Sequence, residues 1–172
     1  MSPCGRLEES VKLQEAERIA MTVLDSLRPF CSRIEVAGSI RRRRPDPHDI
    51  DIVLIPKDPW KLDMTIRCLG NTPVTGGKLQ RLILPPAASG EPGTQVDIYF
   101  ATPQTWATLL LIRTGSKESN IRLCWLAKQR GWHLAANGDG MFDAQGRRIA
   151  GDTERSIFAA LGELWLEPEE RD

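Results

Sequence analysis

His48-Asp49-Ile50-Asp51-Ile52-Val53-Leu54-Ile55-Pro56 is the stretch on which the reading of the fold turns. Its β-branched and aliphatic residues favour a strand, and strand side chains alternate between faces. Asp49 and Asp51 therefore share one face, roughly 6–7 Å apart along the backbone. A second strand is expected over 95–101 (Gln95-Val96-Asp97-Ile98-Tyr99-Phe100-Ala101). If the two strands are neighbours at about 4.8 Å, Asp97 completes a cluster of three carboxylates. Three facing acids repel one another unless a cation neutralises them, and oxygen-only ligands favour Mg²⁺ or Mn²⁺ over zinc. Two such ions about 3.5–4 Å apart suit in-line phosphoryl transfer. Taken alone, Asp-x-Asp also describes the polar face of a solvated edge strand.

Outward from this segment the pattern is α+β. Leu7, Val11, Ala16, Ile19, Ala20, Val23 and Leu27 form one apolar face of a helix that Pro29 ends. A strand is expected over 33–37, and a helix over 58–69 with Asp58 as N-cap and Pro59 at its first position. A strand over 78–84 and a turn-rich connection over 85–93 lead to the Asp97 strand, giving a mixed β-sheet with helices packed on it. Beyond a boundary near 103 the chain turns helical. Thr102-Pro103 reads as an N-cap for a helix carrying Trp106, Leu109, Leu110 and Ile112, which Thr114-Gly115-Ser116 interrupts. A helix over 117–129 with Ile121, Cys124 and Lys128 on one stripe ends at Gly131. Short strands over 133–136 and 141–143 precede a final helix capped by Thr153 and carrying Ile157, Phe158, Leu161 and Leu164. Two domains, 1–103 and 104–172, are expected.

The 172 residues are 41% hydrophobic and 27% charged, which excludes a disordered chain. Lys plus Arg and Asp plus Glu both number 23, so any attraction to nucleic acid must come from local patches. No apolar run approaches the roughly 18 residues of a bilayer span and residues 1–9 lack a secretory core, so an intracellular, non-secreted protein is expected. Cys4, Cys31, Cys68 and Cys124 form no C-x-x-C pair, which points to reduced thiols. Gly38-Ser39 followed by Arg41-Arg42-Arg43-Arg44 suits anion binding, since glycine permits close backbone approach and arginine pairs bidentately with phosphate. An arginine run alone equally fits a solvated loop or a localisation patch. Lys78, Arg81, Arg113, Lys117, Arg122, Lys128 and Arg130 could line a nucleic-acid path. Trp60, Trp106, Trp125, Trp132 and Trp165 fit base stacking, and fit core or interface packing better.

Gly38-Ser39-Ile40-Arg41-Arg42, then Asp49-x-Asp51 eleven residues after Gly38, then Asp97 in a strand, resembles the nucleotidyltransferase signature of family X DNA polymerases. Thr114-Gly115-Ser116 with Asn120 resembles the family's T-G-S-x-x-x-N segment at the family's spacing from the third acid. Thr153-Glu154, Leu161-Gly162 and Glu167-Pro168-Glu169-Glu170-Arg171 resemble its C-terminal T-E, L-G and E-P-x-x-R pattern. The likeness runs from about residue 30 to the end and implies a nucleotidyltransferase palm (1–103) with a small helical/β thumb (104–172). It implies that Asp49, Asp51 and Asp97 are catalytic and hold two Mg²⁺ ions, with Mn²⁺ able to substitute. Gly38, Ser39 and Arg42 match triphosphate-binding positions, Gly115 the position near the sugar, and Asn120 the position at the base edge. His48 before Asp49 resembles the G-H-D variant of the terminal-transferase branch. Ile112-Arg113 replace two aromatic residues that select deoxyribose, so dNTP and rNTP both stay open as substrates. Lys117 replaces an aspartate beside the base, and Cys124 an arginine that probes the templating pair, which implies low fidelity.

The function expected is a metal-dependent DNA polymerase that adds nucleotides to a primer 3′-hydroxyl and fills short gaps in DNA repair. Its partners would be primer-template or gapped DNA, with Lys78, Arg81, Lys117 and Arg122 as DNA contacts. Template-independent addition, transfer to another acceptor, and an inactive DNA-binding subunit of a repair complex are the alternatives. Retention of Asp49, Asp51 and Asp97 argues against the last.

Overall fold

The computed structural model describes residues 3–86 and 93–171, with side chains described from Lys12 onward. The side chains of Leu7 and Val11 on the expected helix face, and residues 87–92 of the expected connection, lie outside that description. The chain divides into two compact units, Met1–Phe100 and Ala101–Asp172. Among the described residues, no helix is long and apolar enough to cross a membrane.

In the first unit, α1 (Pro3–Leu27) buries Ala20, Val23, Leu24 and Leu27, a helical i, i+3, i+4, i+7 stripe. Pro29 then forces a 3₁₀ turn over Arg28–Phe30. β1 (Cys31–Val36), a short helical turn α2 (Gly38–Arg41) and β2 (Ile50–Pro56) follow. Asp58 caps α3 (Pro59–Leu69) by accepting from the Lys61 N–H at 3.1 Å, with Pro59 in the first turn. β3 (Asn71–Thr75), β4 (Leu79–Ile83) and β5 (Gln95–Phe100) complete a five-stranded sheet of order β1-β2-β5-β4-β3. Only β2 and β5 run parallel; the other pairs are antiparallel. The fold is thus α+β with a mixed sheet. Ile34, Ile50, Ile52, Leu54, Leu82, Val96 and Ile98 join α1 and α3 residues in one core. Because strand side chains alternate, Asp51, Asp97 and Arg81 project from the opposite face. The ends of the β4–β5 connection are clamped, Leu84 N–H donating to the Thr94 carbonyl at 2.9 Å.

The second unit holds α4 (Trp106–Thr114), α5 (Lys117–Gln129), the antiparallel strands β6 (His133–Ala135), β7 (Gly140–Phe142) and β8 (Arg148–Ala150), and α6 (Glu154–Ala160). A 3₁₀ turn over Pro168–Glu170 follows. Leu111, Leu123, Ala127, Leu134, Met141, Ile157, Phe158 and Leu161 form its core. Thr153 caps α6 as expected, in a reciprocal capping box with Ser156. Arg171 is fully buried: its Nη1 meets Glu154 Oε2 at 2.8 Å and its guanidinium lies 4.6 Å from the Trp165 ring centroid.

Several expectations are corrected. Thr102 does not cap α4: it opens a turn in which Thr105 Oγ1 accepts from the Thr102 N–H, and the helix starts at Trp106. The buried stripe of α5 is Ser119, Leu123 and Ala127, so Ile121 stands exposed. Leu164 falls beyond α6 and is exposed. Of the tryptophans, Trp106 is buried, whereas Trp60 and Trp125 are exposed rather than packed.

Candidate active site

The alternation of β2 and the parallel β2–β5 ladder make Asp51 and Asp97 register partners. Arg81, on the antiparallel neighbour β4, is the register partner of Asp97 on its other side. Asp97 therefore stands between a carboxylate and a guanidinium. Arg81 holds it with both prongs of its fork, Nε to Oδ1 at 2.7 Å and Nη2 to Oδ2 at 2.8 Å. The bonds to Asp97 raise the Arg81 pKa, and the charges of Tyr99 and Asp49 add to the shift. Asp49 lies just before β2 and is half-buried.

Gly38 opens α2 directly against this face. Its φ is +60°, and a Cβ built there would sit 2.1 Å from Asp51 Oδ2. Only glycine allows backbone this close to the carboxylate. The Ala37 N–H donates to the Asp51 carbonyl at 2.8 Å, which fixes the turn to β2. Ser39 Oγ is buried without a hydrogen-bond partner, an orphan that a ligand oxygen could satisfy. Arg41 to Arg44 wrap the end of the turn, with the Arg42 and Arg44 N–H groups donating to the Gly38 and Ser39 carbonyls. His48 is exposed, and with Asp49, Lys12, Asp46 and Thr94 it lines a cavity of 480 Å³. Lys12 and Asp46 pair across it at 3.3 Å.

In the second unit Gly115 closes α4 with φ +67°, its N–H donating to the Leu111 carbonyl, and the Gly115–Ser116 peptide is cis. Ser116 caps α5 by accepting from the Ser119 N–H at 3.2 Å, and its own N–H donates to the Arg171 carbonyl. Asn120 is anchored through Nδ2 to the Ile112 carbonyl at 2.8 Å, while its Oδ1 is buried without a partner.

Of the expected DNA contacts, Lys78 and Lys117 are exposed. Arg122 pairs with Glu163, and Arg81 is engaged with Asp97. The Arg81–Asp97 pair is the feature that sequence reasoning missed, because it depends on which residues the β4–β5 register sets opposite each other. Among the described residues, no three acid, histidine or cysteine side chains stand grouped as metal ligands. The donor set still suits a hard divalent cation: oxygen-only, with Asp51 and Asp97 on adjacent strands. A cation at Asp97 would stand beside the Arg81 guanidinium, which already donates to both of its oxygens.

Residues 109–172 match the DNA polymerase beta thumb family. Over 176 aligned residues the chain is 27% identical to DNA polymerase/3'-5' exonuclease PolX of Bacillus subtilis (strain 168). That alignment takes in 100% of this chain and 30% of the relative, so the chain spans under a third of that protein's length. The thumb match over 109–172 and the likeness to PolX, joined to an α+β unit in which Asp51 and Asp97 are register partners and Gly38 packs against Asp51, make the chain similar to family X polymerases.

Proposed function

We propose that the protein is a metal-dependent, DNA-directed nucleotidyltransferase that adds nucleotides to a primer 3′-hydroxyl and fills short gaps during DNA repair. The observation that carries the reading is the pairing of Asp51 with Asp97 on the face against which the Gly38 backbone packs. The first unit would serve as palm and the second as thumb. Asp49, Asp51 and Asp97 would hold two Mg²⁺ ions, or Mn²⁺ in their place. Such ions supply neutralisation of phosphate charge and activation of the attacking hydroxyl. Gly38 leaves room for a triphosphate to approach, Ser39 Oγ donates to a phosphate oxygen, and Arg42 adds positive charge beside it. His48, exposed next to Asp49 in the chain, would face the same phosphates. In the second unit, Gly115 would lie near the nucleotide sugar and Asn120 Oδ1 would accept from a base edge. Catalysis would be mostly positioning and electrostatics.

Primer extension with Mg²⁺ and Mn²⁺ on single-stranded, recessed and one-nucleotide-gapped DNA, with dNTP and rNTP, tests the proposal. Templated incorporation is expected on gapped DNA, and Asp51→Asn should abolish it while DNA binding persists. Untemplated addition to single strands would instead establish a terminal transferase. No incorporation on any DNA would refute the polymerase reading.

A further inference from the structure

Asp97 has a neighbour that the proposed chemistry does not use. Both of its carboxylate oxygens are taken by Arg81, at 2.7 and 2.8 Å, from the adjacent strand. The two partners differ in freedom: the Asp97 side chain is 6% exposed and that of Arg81 36%. The carboxylate is fixed in the sheet next to Asp51, whereas the guanidinium sits on a long stem at the solvent edge. A buried carboxylate beside another acid is costly without a compensating cation. Arg81 provides that compensation in the metal-free chain.

We infer that Arg81 is an internal counter-ion that competes with divalent metal for Asp97, so that an ion gains the third carboxylate only by displacing the guanidinium. The inference rests on the proposed metal-binding role of the three acids. Bidentate pairing sets the guanidinium charge against both Asp97 oxygens, so a hard cation bound there would meet a like charge at close range and the two compete for the carboxylate. Displacement is feasible because Arg81 can turn to water while Asp97 cannot. Arg81 is thus a positioning residue: it holds the Asp97 carboxylate in a fixed orientation before the metal arrives, and it lowers the affinity of the set for metal. Its place in β4, opposite Asp97, assigns it to this role rather than to contact with DNA.

The test is Mn²⁺ binding to the full chain without DNA or nucleotide, read from the paramagnetic resonance signal of free Mn²⁺. Arg81→Met should tighten binding about tenfold, equivalent to about 1.4 kcal/mol. Arg81→Lys, which can pair with only one oxygen at a time, should fall between it and the wild type. Asp97→Asn should cancel the gain in an Arg81→Met background. If Arg81→Met fails to fold by circular dichroism, Arg81→Gln serves the same comparison. Equal or weaker Mn²⁺ binding in the variant, or a gain that survives Asp97→Asn, overturns the inference and leaves the metal-site reading intact. Absence of Mn²⁺ binding in every protein overturns both.

Discussion

Gly38→Ala is the smallest change that strikes the centre of the proposed site. Alanine at φ +60° carries a left-handed penalty of about 1–2 kcal/mol. At about 2–4 °C per kcal/mol for a chain of this size, the melting temperature should fall by about 2–8 °C. The greater effect is steric. The new Cβ would lie 2.1 Å from Asp51 Oδ2 and 2.9 Å from its Cγ, well inside ordinary contact. Either the carboxylate or the Gly38-Ser39 turn must yield by roughly 1 Å, and a displacement of that size in a positioned group costs on the order of 100-fold in rate. The assay is single-nucleotide incorporation on gapped DNA beside a thermal melt, with Gly146→Ala as control. Gly146 has φ +75° and nothing within 4 Å of a built Cβ. The control should lose comparable stability and keep its incorporation rate. Wild-type incorporation by Gly38→Ala would refute the reasoning, since the backbone would then not be setting Asp51.

Two further outcomes concern packing and thiol chemistry. Arg171→Ala removes a fully buried guanidinium that meets Glu154 at 2.8 Å and the Leu166 carbonyl at 3.1 Å. Removing the charged partner of the largely buried Glu154 should cost about 3–5 kcal/mol in urea unfolding, and a loss below about 1 kcal/mol would show that the pair is not structural. Burial pushes the Cys31 thiol up to about 11 and also raises Cys124, which leaves little thiolate on either near pH 8. A limiting alkylating reagent at that pH should therefore label the exposed Cys68 before Cys31 or Cys124, read by peptide mass spectrometry, and prior labelling of Cys31 would contradict this.

What could be read from the sequence was whatever a single segment specifies. The β-rich run after Asp49, the Asp58-Pro59 cap and the Thr153 cap each act within a few residues, and the structure carries β2 from Ile50, α3 over Pro59–Leu69 and α6 from Glu154, although α6 ends at Ala160, before Leu161 and Leu164. β3 carries Pro73 and is mostly exposed, as suits an irregular edge strand, so it gave no apolar alternation to find. β8 is only three residues long. The α5 stripe was misphased because Ser119 and Ala127 are buried there while the larger Ile121 is not. The helical turn over Gly38–Arg41 is only four residues long and shows no periodicity to read. In the candidate site, the neighbouring of the Asp51 and Asp97 strands was a conditional expectation that the β2–β5 register meets. The capture of Asp97 by Arg81 needed a second register, β4 against β5, and no local pattern encodes it.

The clamp between Leu84 and Thr94 has a consequence for how this sheet can be altered by design or descent. Gly93 comes so close to the Leu84 carbonyl that a Cβ there would sit 2.2 Å from its oxygen, and the Leu84–Thr94 hydrogen bond seals the junction. The alignment of Arg81, Asp97 and Asp51 is accordingly set by the strands and their clamp, independently of how many residues lie between. Loop-closure cost grows by only about 0.6 kcal/mol per doubling of length. This junction is therefore a tolerant graft point: a tag or reporter can be spliced between Leu84 and Gly93 while the acids keep their phase, whereas one residue added inside β5 would turn Asp97 to the opposite face.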